Sequence, residues 1–143
     1  LKRARIVFVV ALLTLTNGCN APIAELPGEG LWRFVNYWAI WCGPCREEVP
    51  ILNIIDQRID VQVLGVNFDA PVETSVQLAD LAKMNIEFPV LIQDPSSRFG
   101  FDVPSVLPTT VIVRPDGTIA AQLVGPQTKA TVLAVVGKAL TGA

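Results

Sequence analysis

The 143-residue sequence contains no histidine, one tyrosine, one methionine and only three cysteines. These absences bear on metal binding, because a tetrahedral zinc site needs about four ligands, usually cysteines or histidines. Cys42 and Cys45 stand close together, whereas Cys19 lies far from them near the start of the chain. The sequence therefore predicts no metal site and no other cofactor.

The chain also lacks internal repeats, low-complexity tracts and any basic stripe. Its formal net charge is −2, but Lys2, Arg3 and Arg5 all lie in the first five residues, and the rest carries 8 basic and 13 acidic side chains. Nucleic-acid binding depends on lysine and arginine that neutralise phosphates, so this mildly acidic body disfavours it. A length of 143 residues suits one domain with a real hydrophobic core.

No apolar run near the N-terminus is long enough for a typical membrane span. Residues 6–15, apolar except for Thr14, make up about half of the roughly 20 residues that cross a bilayer. The basic residues before this run give it the layout of a bacterial export signal. We therefore predict a signal peptide at residues 1–18, a loop-forming tether at 19–30 and a folded domain at 31–143.

The small residue Gly18 followed by Cys19 resembles the lipobox of bacterial lipoproteins, whose cysteine is lipidated and becomes the mature N-terminus. That pattern usually has leucine where this chain has Thr16. An ordinary cleaved signal and an uncleaved anchor are the alternatives. All three place the domain outside the cytoplasm, in the periplasm or on the outer face of a bacterial membrane.

The most informative motif is a pair of cysteines separated by glycine and proline, residues 41–45, Trp-Cys-Gly-Pro-Cys. The apolar run before it, residues 34–39, predicts a buried strand, and residues 46–52 predict the opening of a helix. Cys42 then lies at a helix N-terminus, where free N–H groups and the helix dipole stabilise a thiolate. Cys42 is the predicted nucleophile, and Cys45, one turn in and shielded, resolves the mixed disulfide.

Two other interpretations of the cysteine pair are less favoured. Half of a zinc site would need further ligands that the chain does not offer. A structural disulfide over so short a loop would restrict the unfolded chain little. The strand-then-helix context favours a redox-active dithiol.

The remaining pattern predicts an α/β fold, a mixed central sheet flanked by helices on both faces. The first helix should continue to about residue 59 with a kink at Pro50. Further strands are predicted at 61–68, 88–92, 109–113 and 118–124, and further helices at 72–84 and 131–140. Pro115-Asp116-Gly117 marks the turn before the last strand. Residues 94–106 carry no clear pattern.

The loop before the fourth strand, residues 106–110, should lie at the same sheet edge as the dithiol. A cis peptide bond between Leu107 and Pro108 would press this loop against the cysteines and leave the Leu107 backbone free to pair with an extended substrate. A trans proline that only starts the strand is the alternative. With Thr109 and the docking aromatic Trp41, Leu107 and Pro108 are the candidate substrate-binding residues.

From residue 31 onward the chain resembles thioredoxin-like proteins, specifically the bacterial membrane-tethered TlpA/ResA/DsbE group. The resemblance rests on residues 35–50, 107–110 and 115–117 in that order. It implies a thioredoxin fold, Pro108 in cis, and a reducing role outside the cytoplasm, often toward apocytochrome c cysteines before haem attachment. It also implies re-reduction by a membrane electron-donor protein.

Three positions separate this chain from ordinary thioredoxin. Asn36 stands where thioredoxins keep a buried Asp, and Gly65 where they keep a Lys. Glu48 lies three residues after Cys45 on the same helix face, and the reductive members of the group have a glutamate at this place. We predict that Glu48 moves the Cys45 proton and raises the pKa of that thiol; an exposed member of an acidic cluster is the alternative.

The leading hypothesis is thus a monomeric, extracytoplasmic reductase of protein disulfides. An oxidase or isomerase on the same fold is the first rival; Gly43 and Pro44, which offer no side-chain donor, favour the reductase. A copper carrier would add a histidine to the cysteine pair, which this chain lacks. A non-catalytic binding module on the same scaffold is disfavoured by the presence of Cys42, Cys45 and Pro108.

Overall fold

The computed structural model describes residues 26–70 and 73–141. The predicted signal peptide, Cys19 and residues 20–25 of the predicted tether lie outside the described residues. The elements in chain order are β1 (Trp32–Trp38), α1 (Gly43–Asp56), β2 (Val61–Asn67), α2 (Thr74–Met84), β3 (Val90–Leu91), α3 (Ser96–Phe99), β4 (Thr109–Val113), β5 (Ile119–Val124) and α4 (Lys129–Thr141).

The five strands form one mixed sheet in the order β3-β2-β1-β4-β5. The pairs β1–β2 and β2–β3 are parallel, whereas β1–β4 and β4–β5 are antiparallel. The central strand β1 therefore ends at the same edge at which β4 begins. This topology brings the start of α1 and the loop before β4 to one edge of the sheet, as the sequence predicts.

Alternate side chains of the strands face two hydrophobic clusters, one on each side of the sheet. The first cluster contains Phe34 and Trp38 of β1 and the buried faces of α1, α2 and α4. The second contains Val35 and Tyr37 and is covered by the short helix α3 and by Phe101. The predicted α/β class with helices on both faces is confirmed, although the second face carries only four helical residues.

The first helix ends at Asp56, three residues earlier than predicted. The Asp56 carboxylate accepts hydrogen bonds from the Val63 N–H at 2.7 Å and the Gln62 side-chain amide at 2.8 Å. It thereby ties the end of the helix to the start of β2. Pro50 lies inside α1, and the 14 residues of this helix are uninterrupted.

Residues 88–106 differ most from the sequence prediction. The third strand has two residues rather than five, because the Pro89 carbonyl receives the Gly65 N–H at 2.8 Å and the chain then leaves the sheet after Leu91. Helix α3 was not predicted. The Asp94 carboxylate accepts the Ser96 N–H at 2.8 Å, and Gly100 ends α3 in the left-handed conformation.

No helix in the described part of the chain is long and apolar enough to cross a membrane.

Gly65 is tightly enclosed on the sheet face that packs against α1. A Cβ atom at this position would lie 2.7 Å from Val90 Cγ2 and 3.0 Å from Phe88 Cε2. We predict that Gly65→Ala lowers the free energy of unfolding by about 1–3 kcal/mol through overpacking. Urea unfolding of purified protein measures it. Gly137→Ala is the matched control, because its Cβ would meet nothing within 4 Å; equal effects of the two substitutions would contradict the prediction.

Candidate active site

Cys42 and Cys45 form a disulfide, with their Cα atoms 5.3 Å apart. Cys42 is the N-cap of α1 in an extended conformation, and its sulfur accepts the Cys45 N–H at 3.2 Å. Pro44 stands in the first turn, where a helix needs no N–H donor of its own. The local sequence thus places a sulfur atom where the free N–H groups of the helix begin.

Both cysteines are buried. Cys42 retains 5 % of its accessible surface, and Cys45, predicted to be shielded, retains 2 %. Both belong to the first hydrophobic cluster. Trp41, by contrast, is 64 % exposed beside them.

A buried polar group lies under α1 on the same sheet face. Asn36 Nδ2 donates to Glu48 Oε2 and to Thr110 Oγ1, both at 3.0 Å. The second carboxylate oxygen, Glu48 Oε1, accepts the Gln127 N–H at 3.1 Å. Asn36 and Thr110 are also register partners on β1 and β4. Glu48 therefore links α1, the central strands and the segment that leads into α4.

Glu48 is 1 % exposed, so the interpretation of it as an exposed member of an acidic cluster is wrong. Burial raises the pKa of the Glu48 carboxyl, and the hydrogen bonds from Gln127 and Asn36 oppose that rise. Its neighbour Glu47 is exposed. On a helix, positions three apart share a face, so Glu48 and Cys45 lie on the same side of α1.

The peptide bond between Leu107 and Pro108 is cis, as the resemblance implies. The Thr109 hydroxyl donates to the Val106 carbonyl at 2.8 Å, and the Pro108 carbonyl accepts the Gly125 N–H at 2.8 Å. These bonds hold both sides of the loop. Leu107 packs against the same hydrophobic cluster that contains the two cysteines. The structure thus brings the dithiol and this loop to one region.

The two tryptophans near the dithiol have different surroundings. Trp38 is fully buried, as predicted for a core residue, and its indole N–H has no acceptor in the described structure. Trp41 Nε1 donates to both carboxylate oxygens of Asp69, at 3.0 and 3.2 Å. Asp69 follows β2, so this bond fixes the exposed indole against the neighbouring strand end.

A model of the AhpC/TSA family matches residues 10–122 of the chain. The chain belongs to the AhpC/TSA family. The Rhodobacter capsulatus thiol:disulfide interchange protein HelX is 33% identical over 130 residues, which cover 87% of this chain and 70% of HelX. The Bacillus cereus thiol-disulfide oxidoreductase ResA is 28% identical over 122 residues, which cover 82% of this chain and 68% of ResA.

A solved structure is also similar to this chain. The thiol:disulfide interchange protein DsbE of Chlorobium tepidum superposes with a TM-score of 0.62 at 29% identity, covering 79% of this chain and 82% of DsbE. The fold is therefore thioredoxin-like, and the chain is a thiol-disulfide oxidoreductase that acts on protein substrates. The Cys42–Cys45 disulfide in the structure is consistent with this activity.

Three residues around the dithiol were not predicted from the sequence. Thr110 and Gln127 complete the hydrogen bonds of Asn36 and Glu48, and Asp69 holds Trp41. Thr110 could have been found, since its place in a buried strand predicts a partner for a polar side chain. Gln127 acts through its backbone, so side-chain chemistry gives no signal. Within residues 26–70 and 73–141, no cluster of three or more His, Cys, Asp or Glu could hold a metal ion.

Proposed function

We propose that this family member is an extracytoplasmic reductase of protein disulfides in which Cys42 attacks and Cys45 resolves. The observation that carries the proposal is a cysteine pair at the start of α1 with a buried carboxyl group one helical turn further along the helix. Among the described residues, the Cys42 sulfur accepts one hydrogen bond, from the Cys45 N–H. Glu48 lies one helical turn below Cys45.

The reaction starts from the reduced dithiol. The Cys42 thiolate attacks one sulfur of a substrate disulfide, the substrate S–S bond breaks, and one substrate thiolate leaves. The Cys45 thiol loses its proton and attacks the Cys42 sulfur, which releases the second substrate thiolate. Two electrons pass to the substrate, and the protein is left with the Cys42–Cys45 disulfide seen here.

Glu48 is proposed to take the Cys45 proton during the second attack. Its raised pKa brings its proton affinity closer to that of a thiol than an exposed carboxyl's would be. When ionised, the same carboxylate disfavours a neighbouring thiolate by repulsion. Asn36 supports this role because its neutral side-chain amide donates a hydrogen bond to Glu48 Oε2 and does not itself act as a base. Glu48 thus remains the group that accepts the proton.

The direction of electron flow follows from which form of the dithiol is stabilised. Strong disulfide oxidants hold a stabilised thiolate, which makes their reduced form favourable. Gly43 and Pro44 offer no side-chain donor, and the guanidinium of Arg46 donates instead to the Lys83 and Ile40 carbonyls at 2.9 and 3.2 Å. These features support a reductant over an oxidase or isomerase on the same fold.

For substrate docking we propose Trp41, Leu107, Pro108 and Thr109. The exposed indole of Trp41 offers apolar surface beside Cys42. The cis bond before Pro108 supports pairing between the Leu107 backbone and an extended substrate segment.

The location and anchoring are also part of the proposal. Residues 1–18 act as an export signal, residues 19–30 as a tether and residues 31–143 as the folded domain, with Cys19 as the lipidation site or the signal itself as the anchor. A monomer then faces the periplasm or the outer side of a bacterial membrane. Its electron donor is a membrane protein, and its client class is the cysteine pair of an apocytochrome c, which the TlpA/ResA/DsbE resemblance supports.

The equilibrium reduction potential of the Cys42–Cys45 pair tests the direction of transfer. Tryptophan fluorescence in glutathione and dithiothreitol buffers measures it, since Trp38 and Trp41 lie just before Cys42 in the sequence. We expect a value near that of thioredoxin, about −270 mV or somewhat higher. A value near that of the oxidant DsbA, about −120 mV, would contradict the proposed reductase and favour the oxidase.

A further inference from the structure

A cavity of about 290 Å³ opens on the second face of the sheet, away from α1. Its walls come from Tyr37 and Val66 of the central strands and from Leu91 of β3. Its rim carries apolar side chains that are exposed, Phe68, Ile92 and Val103. Nothing in the reaction described above uses this cavity.

One wall of the cavity is formed by the end of β2. Asn67 lines it and is 5 % exposed, and its Nδ2 atom is buried without a hydrogen-bond acceptor in the described structure. Its Oδ1 atom accepts the Asp69 N–H at 3.1 Å, which fixes the orientation of the amide. Because the Nδ2 atom is buried, a molecule in the cavity would meet other atoms of this wall.

The opposite wall of the cavity is also held in place. Tyr37 donates its hydroxyl to Asp94 Oδ1 at 3.0 Å, and the same carboxylate oxygen accepts the Ser96 N–H. Burial and the Asp94 charge raise the pKa of Tyr37, so its hydroxyl stays protonated and bonded. The cavity therefore has preformed walls.

The cavity adjoins the dithiol. Its residues Phe68 and Ala70 flank Asp69, the residue whose carboxylate holds the Trp41 indole next to Cys42. The loop at Pro108 lies beyond β1 on the β4 side, whereas the cavity lies on the β2–β3 side. A substrate cysteine bonded to Cys42 would thus have the Pro108 loop on one side and this cavity on the other.

From this placement we propose that the cavity binds an apolar side chain of the substrate polypeptide. This side chain and the segment that pairs with Leu107 lie on opposite sides of the reacting substrate cysteine. A volume of about 290 Å³ is at the lower end for ligand cavities, ~300 Å³, and suits one side chain rather than a large cofactor. The inference rests on the proposed reductase function, and it adds a determinant of substrate choice.

Synthetic peptides linked as disulfides through their single cysteine provide the probe. Each carries one leucine at a different distance before or after the cysteine in a Ser-Gly background, and one carries none. Tryptophan fluorescence follows the oxidation of the reduced protein by each peptide. We expect one leucine position to accelerate the reaction about tenfold over the leucine-free peptide, the scale of discrimination by an apolar pocket.

Val103→Trp tests the cavity, because this 53 % exposed rim residue would fill its mouth. We expect the rate ratio between the preferred and leucine-free peptides to fall to about one. Val76→Trp is the matched control, a 47 % exposed valine on α2 that does not line the cavity, and it should keep the ratio.

The outcomes separate this inference from the proposed function. If wild-type protein reduces all peptides at one rate, or if Val103→Trp and Val76→Trp lower the ratio equally, the cavity does not select substrate. If the wild type is a dimer that Val103→Trp dissociates, the cavity belongs to a second copy of this chain instead. If the reduced wild type reacts with none of the peptides, the reductase function and this inference fail together.

Discussion

Reduced Cys45→Ser protein should form a stable mixed disulfide with a protein substrate, and its turnover should fall to the uncatalysed background. Cys42 can still attack, because its place at the N-cap of α1 does not depend on the Cys45 side chain. The hydroxyl of serine cannot displace the substrate sulfur, so the reaction stops after one bond exchange. Non-reducing gel electrophoresis and mass spectrometry of the adduct, with disulfide-bonded insulin as substrate, measure the result.

Cys42→Ser is the matched control for this experiment. It keeps a thiol at position 45, but that residue is 2 % exposed, and we expect no adduct and no turnover. Adducts of equal yield from both variants would show that Cys45 is as reactive as Cys42, contrary to the assignment. An absence of adduct from Cys45→Ser would remove the support for Cys42 as the nucleophile.

The second large effect should come from Glu48→Gln. Gln keeps the size of the side chain and an oxygen for the Gln127 N–H, but it cannot accept the Cys45 proton. We expect the rate of disulfide reduction near neutral pH to fall about 10²-fold, the usual contribution of a positioned acid or base. Glu47→Gln, on the exposed side of the same helix, is the matched control and should leave the rate unchanged.

The pH profile separates a proton-transfer role of Glu48 from a structural one. Because burial raises the pKa of the Glu48 carboxyl, the wild-type rate should rise with pH through that raised value, and the Gln variant should lose this rise. Stopped-flow fluorescence across pH measures it. A variant with a low rate but an unchanged profile would point to a structural role alone.

The same shift predicts how stability depends on pH. The folded protein binds the Glu48 proton more tightly than the unfolded chain, since its folded pKa is raised. The stability from this group is therefore complete below the ordinary carboxyl pKa and is lost as pH rises through the raised value. In urea unfolding, wild type should weaken over that range relative to Glu48→Gln.

Much of the fold could be predicted because its strands are continuous apolar runs with clear ends. Strand β4 was predicted with the bounds observed, Thr109–Val113, and β1 and β2 within two residues at each end. Helix α3 and the short β3 were not, because both depend on single contacts. The Asp94 carboxylate caps Ser96, and the Pro89 carbonyl pairs with Gly65.

The sequence by itself determined the dithiol, its place at a helix start and the proline loop, because spacing along one strand–helix junction needs no distant contact. Tertiary structure alone decided what surrounds them. Glu48 became a buried carboxyl because Asn36 and Gln127, 12 and 79 residues away, supply its hydrogen bonds. The cavity beside Tyr37 exists only where three strands, the segment after β2, helix α2 and the 92–103 segment meet. Local periodicity predicts which face of an element is buried, but the partners of a buried polar group come from chain segments that only the packed fold brings together.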